Sequence, residues 1–445
     1  MRLSKIKLFF ALPFVFLFLP SEGGALTLSE GGALTLSEAH LILVKSDPEI
    51  LRSEVSAEIA QTRQERAVSE LFPKISTTLS TSRTSREQYG QKERYQGEDY
   101  SIIISQPVYN EPLWAEPDRL SAIVKQREAS AEGTRQKRRS ELVSAYAQWI
   151  EAEVRQQLIQ RRLFAVGKRY EQVERLFEKQ RLSVTQVLTV ENERDRVKAE
   201  LARAQSSAVT TESTLKSLIG QEVDMSFSRE SLAIDRWPLD SEILAMVDSD
   251  GGLHPLIDQA VSQRLAATLS LKQAETQWMP RLDARVQVRH TNIGASESET
   301  FPVESSSAQI TMTWDLYDSG VRDAGIREAE LSLRDADLAL QQAERDVERQ
   351  QASASLDIER YREAWNAAYA EYESAKKLLT AADKSFDLGV GTVADSLRAI
   401  ERLIDAESRL TSRWLEALLG VAQIGQVNHR LTPELIDQLS KRFIE

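Results

Sequence analysis

The chain has no cysteine among its 445 residues, which excludes disulfides, thiolate catalysis and cysteine-ligated metal sites. Its 18 glycines and 12 prolines are few for this length, which disfavours an all-β fold with many tight turns and favours long helices. The net charge of −12 disfavours nucleic acid as a partner, because phosphate binding needs a basic surface.

The sequence also lacks the common signatures of enzymes. It contains no glycine-rich phosphate loop and no nucleophile elbow, and the histidines do not have the spacing of metal ligands. The histidines are His40, His254, His290 and His429. We therefore expect no enzyme activity, no cofactor and no metal site.

Residues 1–25 are typical of a secretory signal peptide. Three basic residues precede an apolar stretch over residues 8–19, and about 12 apolar residues are few for a membrane span, although a retained anchor is the alternative. The octet GGALTLSE occurs twice in tandem, so cleavage could follow Ala25 or Ala33. No later stretch has 18 consecutive apolar residues, which disfavours a protein of the inner membrane.

The sequence is duplicated internally. Landmarks of the first half recur in the second half in the same order, at shifts of 207, 208 and 209 residues. Each identity is weak alone, so the order and the nearly constant spacing support the inference. The matched pairs are Pro48 with Pro255, Tyr109 with Tyr317, and Phe177 with Phe386.

The duplication predicts the domain organisation. A first repeat over residues 34–220 and a second repeat over residues 253–430 each contain a helix, a strand pair and a long helical hairpin. The segment 221–252 is expected to link the two repeats as an equatorial segment. Residues 431–445 have the spacing of an amphipathic helix that packs at the same waist of the molecule.

Very long helices dominate the prediction, which is a mainly α fold with a small β portion. Residues 111–177 have no proline after Pro117, and one helix of that length would extend on the order of 100 Å. In the second repeat, apolar residues recur at alternating steps of four and three, the pattern of a coiled-coil seam. These seam residues are Ala354, Ile358, Tyr361, Trp365, Ala368, Tyr372, Ala375, Leu379, Ala382 and Phe386.

Four short segments alternate apolar and polar side chains, which predicts strands. The alternation is compatible with a soluble sheet that has one wet face and with a membrane barrel; the signal peptide and the long helices favour the barrel. The polar segments 87–97 and 291–304 are expected to be exposed loops. Aromatic residues that bracket the strands are candidates for a membrane girdle: Tyr100, Tyr109, Trp314 and Tyr317.

The small number of strands predicts an oligomer. Four strands cannot close around water, since about eight leave room only for side chains. An open sheet in lipid would leave unpaired edges, which the hydrocarbon region does not tolerate. A barrel shared by three copies, with four strands from each, would avoid both problems.

With these features, the chain resembles the TolC-like outer-membrane factors of Gram-negative bacteria from about residue 36 to residue 427. The local signatures are Ser46–Ile50, Gln106–Asn110, Asp315–Gly320 and a tip turn that contains Phe386, Gly389, Thr392 and Asp395. The resemblance implies a trimeric α-helical barrel that crosses the periplasm, capped by a shared 12-stranded antiparallel transmembrane β-barrel. It also implies a passive exit duct, for drug efflux or type I protein secretion, whose partners are a periplasmic adaptor, an inner-membrane pump and outer-membrane lipid.

The resemblance further implies that the ends of the helical hairpins form the periplasmic entrance. Relatives narrow this entrance with inward aspartates, but Arg398 follows three residues after Asp395, and on a helix the two would pair. A solvated helix residue is the alternative role of Asp395. Gln180 stands where glycine is usual, and Gly391 stands where some relatives have a basic latch residue. The implied entrance residues are Phe177, Ser183, Gln186, Phe386, Gly389, Thr392, Asp395 and Arg398.

A periplasmic adaptor or a structural coiled-coil protein is the alternative function. Adaptors also contain long hairpins, but they usually have one, flanked by small β-rich domains. Two hairpins with strand pairs between helices favour the channel. Fractionation distinguishes the two, because a channel stays in outer membranes after an alkaline wash.

Overall fold

The residues that the computed structural model describes are 34–88, 91–223, 225–248, 254–294 and 300–443. The chain divides into two units, Met1–Ala33 and Leu34–Glu445. The predicted signal peptide and both predicted cleavage positions belong to the first unit and lie outside the described residues.

Helices form most of the described chain, with one small sheet, as the sequence predicted. The order of helix, two strands, very long helix and return helix occurs twice. The elements are α1 Leu36–Ser46, α2 Pro48–Ser69, β1 Lys74–Gln88, β2 Gln91–Tyr109, α3 Glu111–Glu178, α4 Val184–Ile219, α5 Ser241–Asp248, α6 Pro255–Glu275, β3 Arg281–Gly294, β4 Thr300–Thr313, α7 Val321–Asp387, α8 Val393–Val427 and α9 Pro433–Arg442.

The two longest helices are α3, with 68 residues, and α7, with 67. At the start of α3, the Asn110 side chain accepts a hydrogen bond from the Leu113 amide at 3.3 Å. Such a side-chain acceptor satisfies one of the free amides of a first helical turn. The prediction of one uninterrupted helix over 111–177 is confirmed. Among the described residues, no helix is both long enough and apolar enough to cross a membrane.

The four strands form one antiparallel sheet in the order β1-β2-β3-β4. The register places Ile75 opposite Ile104, Ile104 opposite Val286, and Val286 opposite Ala308. Because side chains alternate between the faces of a strand, this register places most of the apolar residues on one face, and polar residues predominate on the other.

Strand pairing extends further toward the hairpin turns than predicted. The backbone of Glu87 pairs with that of Lys92, and Thr291 pairs with Val303. The prediction of loops over 87–97 and 291–304 is therefore wrong for most of their length. It was based on side-chain polarity, whereas the antiparallel ladder is made by backbone groups and tolerates polar side chains.

Next to the sheet, four helices lie side by side in the order α2, α3, α6, α7, which repeats the order of the strands they join. Ion pairs accompany this packing, with 2.7 Å between Arg135 of α3 and Glu54 of α2 and 2.6 Å between Arg264 of α6 and Asp337 of α7. Farther from the sheet, α3 packs against α4 and α8, and α7 packs against α8.

The largest apolar core lies where the terminal helices α1 and α9 meet the middle of α3 and α8. The ring of Phe443 lies 5.3 Å from that of Tyr146 and 6.2 Å from that of Trp414. The apolar residues of the predicted C-terminal helix are all buried here: Leu431, Leu435, Ile436, Leu439 and Phe443.

Residues 225–248, termed the belt, cross the long helices at the level of this core. Side chains of three helices donate hydrogen bonds to belt carbonyls. The donor and acceptor pairs are Gln157 with Phe227 at 2.5 Å, Trp365 with Ile234 at 3.3 Å, and Trp414 with Arg236 at 3.1 Å. The belt therefore links α3, α7 and α8.

Candidate functional site

The turns at the tips of the two helical hairpins have the same backbone geometry. In the first, the amide of Gln180 donates to the carbonyl of Phe177 at 2.8 Å, and in the second, Gly389 donates to Phe386 at 2.9 Å. Gln180 and Gly389 have φ values of 55° and 77°. This is the Schellman arrangement, which ends a helix with one left-handed residue. Glycine adopts that conformation without strain, whereas glutamine does not.

Gly391 completes the second tip because no side chain fits there. A Cβ atom at this position would lie 2.9 Å from the amide nitrogen of Phe386 and 3.0 Å from the Cβ of Ser385. The basic side chain that some relatives carry here would therefore require the backbone to move.

The return helices begin at hydroxyl residues. Thr392 accepts a hydrogen bond from the amide of Asp395 at 3.1 Å, and its hydroxyl donates to the Asp395 carboxylate at 2.6 Å. In the first hairpin, the Ser183 amide donates to the Gln186 side chain at 3.2 Å. These contacts account for the three-residue step between the hydroxyl residue and the residue that follows it.

Asp395 also lies 3.4 Å from the guanidinium of Arg398, and both side chains are more than half exposed. The pKa of Asp395 is lowered, mainly by the hydrogen bond from the Thr392 side chain. The backbone amide of Thr392 and the charge of Arg398 lower it further. The carboxylate is thus ionised and locally compensated by a cation.

Apolar residues bring the two tips together. Val173 and Val190 of the first hairpin share one cluster with Val393 of the second, and Phe386 packs on its edge. Phe177, the counterpart of Phe386, is 41% exposed. The entrance residues implied by the resemblance therefore occupy two adjacent tips, while the two aromatic residues have different environments.

Arg169 anchors the second tip, and the sequence interpretation missed it. This buried side chain of α3 pairs with Asp383 of α7 and lies 4.4 Å from the centre of the Phe386 ring. Asp383 also accepts a hydrogen bond from the buried Ser396 of α8 at 3.2 Å. The cluster connects three helices. One sequence feature could have revealed this cluster: Arg169 lies between the apolar residues Val166 and Val173 at the helical spacing of α3.

Arg162 forms a second buried contact between the hairpins, about two turns above Arg169 on α3. Its guanidinium is 2.6 Å from Glu193 of α4 and 3.1 Å from Glu401 of α8. The pKa of the neighbouring Asp405 is raised, mainly because burial removes water from its carboxylate. A buried cation with several carboxylate partners fixes the position of α8 against α3 and α4.

The residues proposed for the aromatic girdle lie at two levels of the sheet. Tyr109 and Trp314 are at the end next to the helices, where Tyr109 donates to the Met279 sulfur at 3.2 Å and Trp314 donates to the Trp278 carbonyl at 2.9 Å. Tyr317 follows close by and is 86% exposed. Tyr100 is nine residues from Tyr109 along β2, a distance of about 30 Å along the strand at ~3.3 Å per residue.

Comparison with known proteins gives a consistent result. The sequence model of the family described as outer membrane efflux protein matches residues 43–221 and 252–424. Outer membrane protein TolC of Vibrio cholerae serotype O1 is 24% identical over 402 residues, which cover 86% of this chain and 87% of that protein.

Two solved structures with a similar fold are described as outer-membrane channels. The Campylobacter jejuni CmeC channel matches with a TM-score of 0.75 at 12% identity, over 92% of this chain and 90% of that chain. The open state of the Neisseria gonorrhoeae MtrE channel matches with a TM-score of 0.73 at 17% identity, over 90% of each chain.

Proposed function

Because the chain belongs to the outer membrane efflux protein family, as its resemblance to TolC-like factors predicted, we propose that three copies close into a single channel. The protein is an outer-membrane efflux duct of a Gram-negative bacterium and belongs to a family of passive channels, not enzymes.

The sheet supplies the main argument. Its apolar face is exposed across all four strands, as a surface in contact with lipid would be. The exposed side chains include Ile75, Leu79, Ile102, Val288, Ile310 and Met312, with exposed fractions from 53% to 72%. In water, a continuous apolar surface of this kind would be costly.

The two edges of the sheet explain why several copies are needed. β1 and β4 each have one neighbour among the described strands, so one backbone edge of each has no partner strand. Lipid does not tolerate such edges, and only a closed barrel removes them. Three copies of a four-stranded sheet supply twelve strands, if β4 of one copy pairs with β1 of the next.

The helices next to the sheet lead to the same arrangement. The outermost helices of the layer are α2 and α7, and both carry exposed apolar residues at helical spacing. On α2, these are Leu51, Val55 and Ile59; on α7, they are Leu331 and Leu338. Each helix would bury this stripe against the other helix of a neighbouring copy.

The stripes also lie at matching heights. Val55 is 14 residues before Ser69, where α2 ends, and Leu338 is 17 residues after Val321, where α7 begins. At ~1.5 Å per residue, both lie roughly 20–25 Å from the strand-bearing ends of their helices.

The helical tips are the proposed docking site of a periplasmic adaptor, which connects the duct to an inner-membrane pump. Leu388 and Val390 are each 79% exposed at the second tip, and Lys179 and Arg181 are exposed at the first. An adaptor end with apolar and acidic residues fits this combination. The alternative, that the chain is itself an adaptor or a structural coiled coil, is not favoured by the family match.

Disulfide cross-linking tests the subunit arrangement without background, because the natural chain has no cysteine. We expect a chain with Val55→Cys and Leu338→Cys to form covalent dimers and trimers in oxidised outer membranes. A chain with Val209→Cys and Leu338→Cys is the control, since Val209 is exposed on α4, which ends at Ile219 beside Ser46 and therefore lies farther from the sheet than α2 does. Equal cross-linking of both chains, or of neither, would contradict the arrangement.

A further inference from the structure

The polar face of the sheet has an uneven distribution of charge. In the row that crosses all four strands at Arg285, the backbone register aligns Lys74 of β1, Ser105 of β2, Arg285 of β3 and Gln309 of β4. All four lie on the face opposite the apolar residues, because strand side chains alternate. The row therefore contains two cations and no carboxylate.

Two other cations on this face are compensated. Arg289 pairs with Asp99, and Arg281 lies 3.2 Å from Asp315. Among the described residues, Lys74 and Arg285 have no such ion-pair partner, and both are exposed. Asp283, on the next row of the same face, offsets one of the two charges at longer range.

This concentration of positive charge contrasts with the net charge of −12 for the chain. The neighbouring row on the side away from Asp283 consists of Ser76, Ile103, Gln287 and Ser307, none of which is charged. Within the ionic screening length of about 8–10 Å, the two cations of the row outnumber the one carboxylate of Asp283, so the potential near the row is positive.

We propose that Lys74 and Arg285 form a cationic ring inside the barrel that attracts polyvalent anions and sets the ion preference of the outer part of the pore. The inference rests on the proposed function, because the polar face becomes the pore wall only when three copies close. The ring then contains two cations from each subunit. Low-dielectric walls on all sides strengthen its field compared with an open surface.

Single-channel recording in planar bilayers tests the ring, with inositol hexakisphosphate as the probe. The probe is added to the compartment opposite to the one that received the protein, because the barrel opens toward that compartment. We expect half-block of the parent at a concentration at least about tenfold lower than that needed for the Lys74→Gln, Arg285→Gln double variant. In a salt gradient, the reversal potential of the double variant should shift toward cation preference.

Two matched variants distinguish charge from structure. Arg285→Lys retains the cation, so the probe should block this variant at the same concentration as the parent. Gln309→Asn changes a neutral neighbour in the same row and should also behave like the parent. If the double variant has the same block and the same reversal potential as the parent, the proposed cationic ring is wrong. Open-channel currents from both proteins would still support the proposed function. A parent that forms no channels would contradict the proposed function itself.

Discussion

Gly420 shows how a single residue controls the approach of two helices. A Cβ atom on Gly420 of α8 would clash with the ring of Tyr361 of α7. We therefore expect Gly420→Ala to displace the ring and lower the free energy of unfolding by roughly 1–3 kcal/mol. Thermal unfolding of the purified protein in detergent measures the effect.

Gly167→Ala is the matched control for this substitution. Gly167 lies within α3, and no atom is within 4 Å of a Cβ built there. Alanine should stabilise the helix by about 0.5–1 kcal/mol, because it has the higher helix propensity. If both substitutions changed the free energy of unfolding in the same direction, the role assigned to Tyr361 would be contradicted.

His40 makes stability depend on pH. This buried side chain of α1 accepts a hydrogen bond from Arg139 at 3.2 Å. Burial, and then the charge of Arg139, lowers the pKa of His40 from 6.5 to about 4. The folded state therefore favours the neutral ring, and its contribution to stability is present above about pH 6.5 and is lost as the pH falls toward 4.

His40→Gln retains an acceptor for Arg139 but does not titrate. We expect denaturant unfolding of this variant to depend less on pH between about 6.5 and 4 than unfolding of the parent. Parallel curves for the two proteins would show that His40 does not contribute to the acid sensitivity.

At the scale of elements, Arg169 holds the second tip against α3. Arg169→Gln would remove the cation that pairs with Asp383 and packs on Phe386, and we expect local opening of residues 383–396 to become easier by roughly 1–3 kcal/mol. Hydrogen exchange measures this opening. Arg398→Gln breaks only an exposed pair and should leave the exchange of these residues nearly unchanged. If Arg398→Gln increased hydrogen exchange more than Arg169→Gln does, the role of Arg169 in holding the second tip would be refuted.

The elements themselves were largely predictable. The continuous α3 follows from scarce proline and glycine, and Trp365, Ala368 and Ala375 are buried as the seam spacing on α7 predicted. The buried arginines were not predictable, because a charge at a seam position is stable only if carboxylates of other helices reach it. Those partners come from distant parts of the sequence, as Glu401 does for Arg162.

At the scale of the whole molecule, sequence alternation predicted which face of the sheet is apolar, and the exposed fractions of Ile310 and Met312 agree. It did not predict the extent of pairing near Glu87 and Thr291, because that depends on backbone partners. The hydrogen bonds of the belt were also not predicted, since they use carbonyl groups that no side-chain pattern reveals.

The mass of the detergent-extracted protein tests the central claim most directly. Native mass spectrometry measures this mass after the detergent has been removed in the gas phase. A shared barrel predicts a complex of three chains, with no folded single subunit that remains in solution without detergent. A stable single chain in detergent-free buffer would contradict the account, because its exposed apolar face and open strand edges would then need no partner.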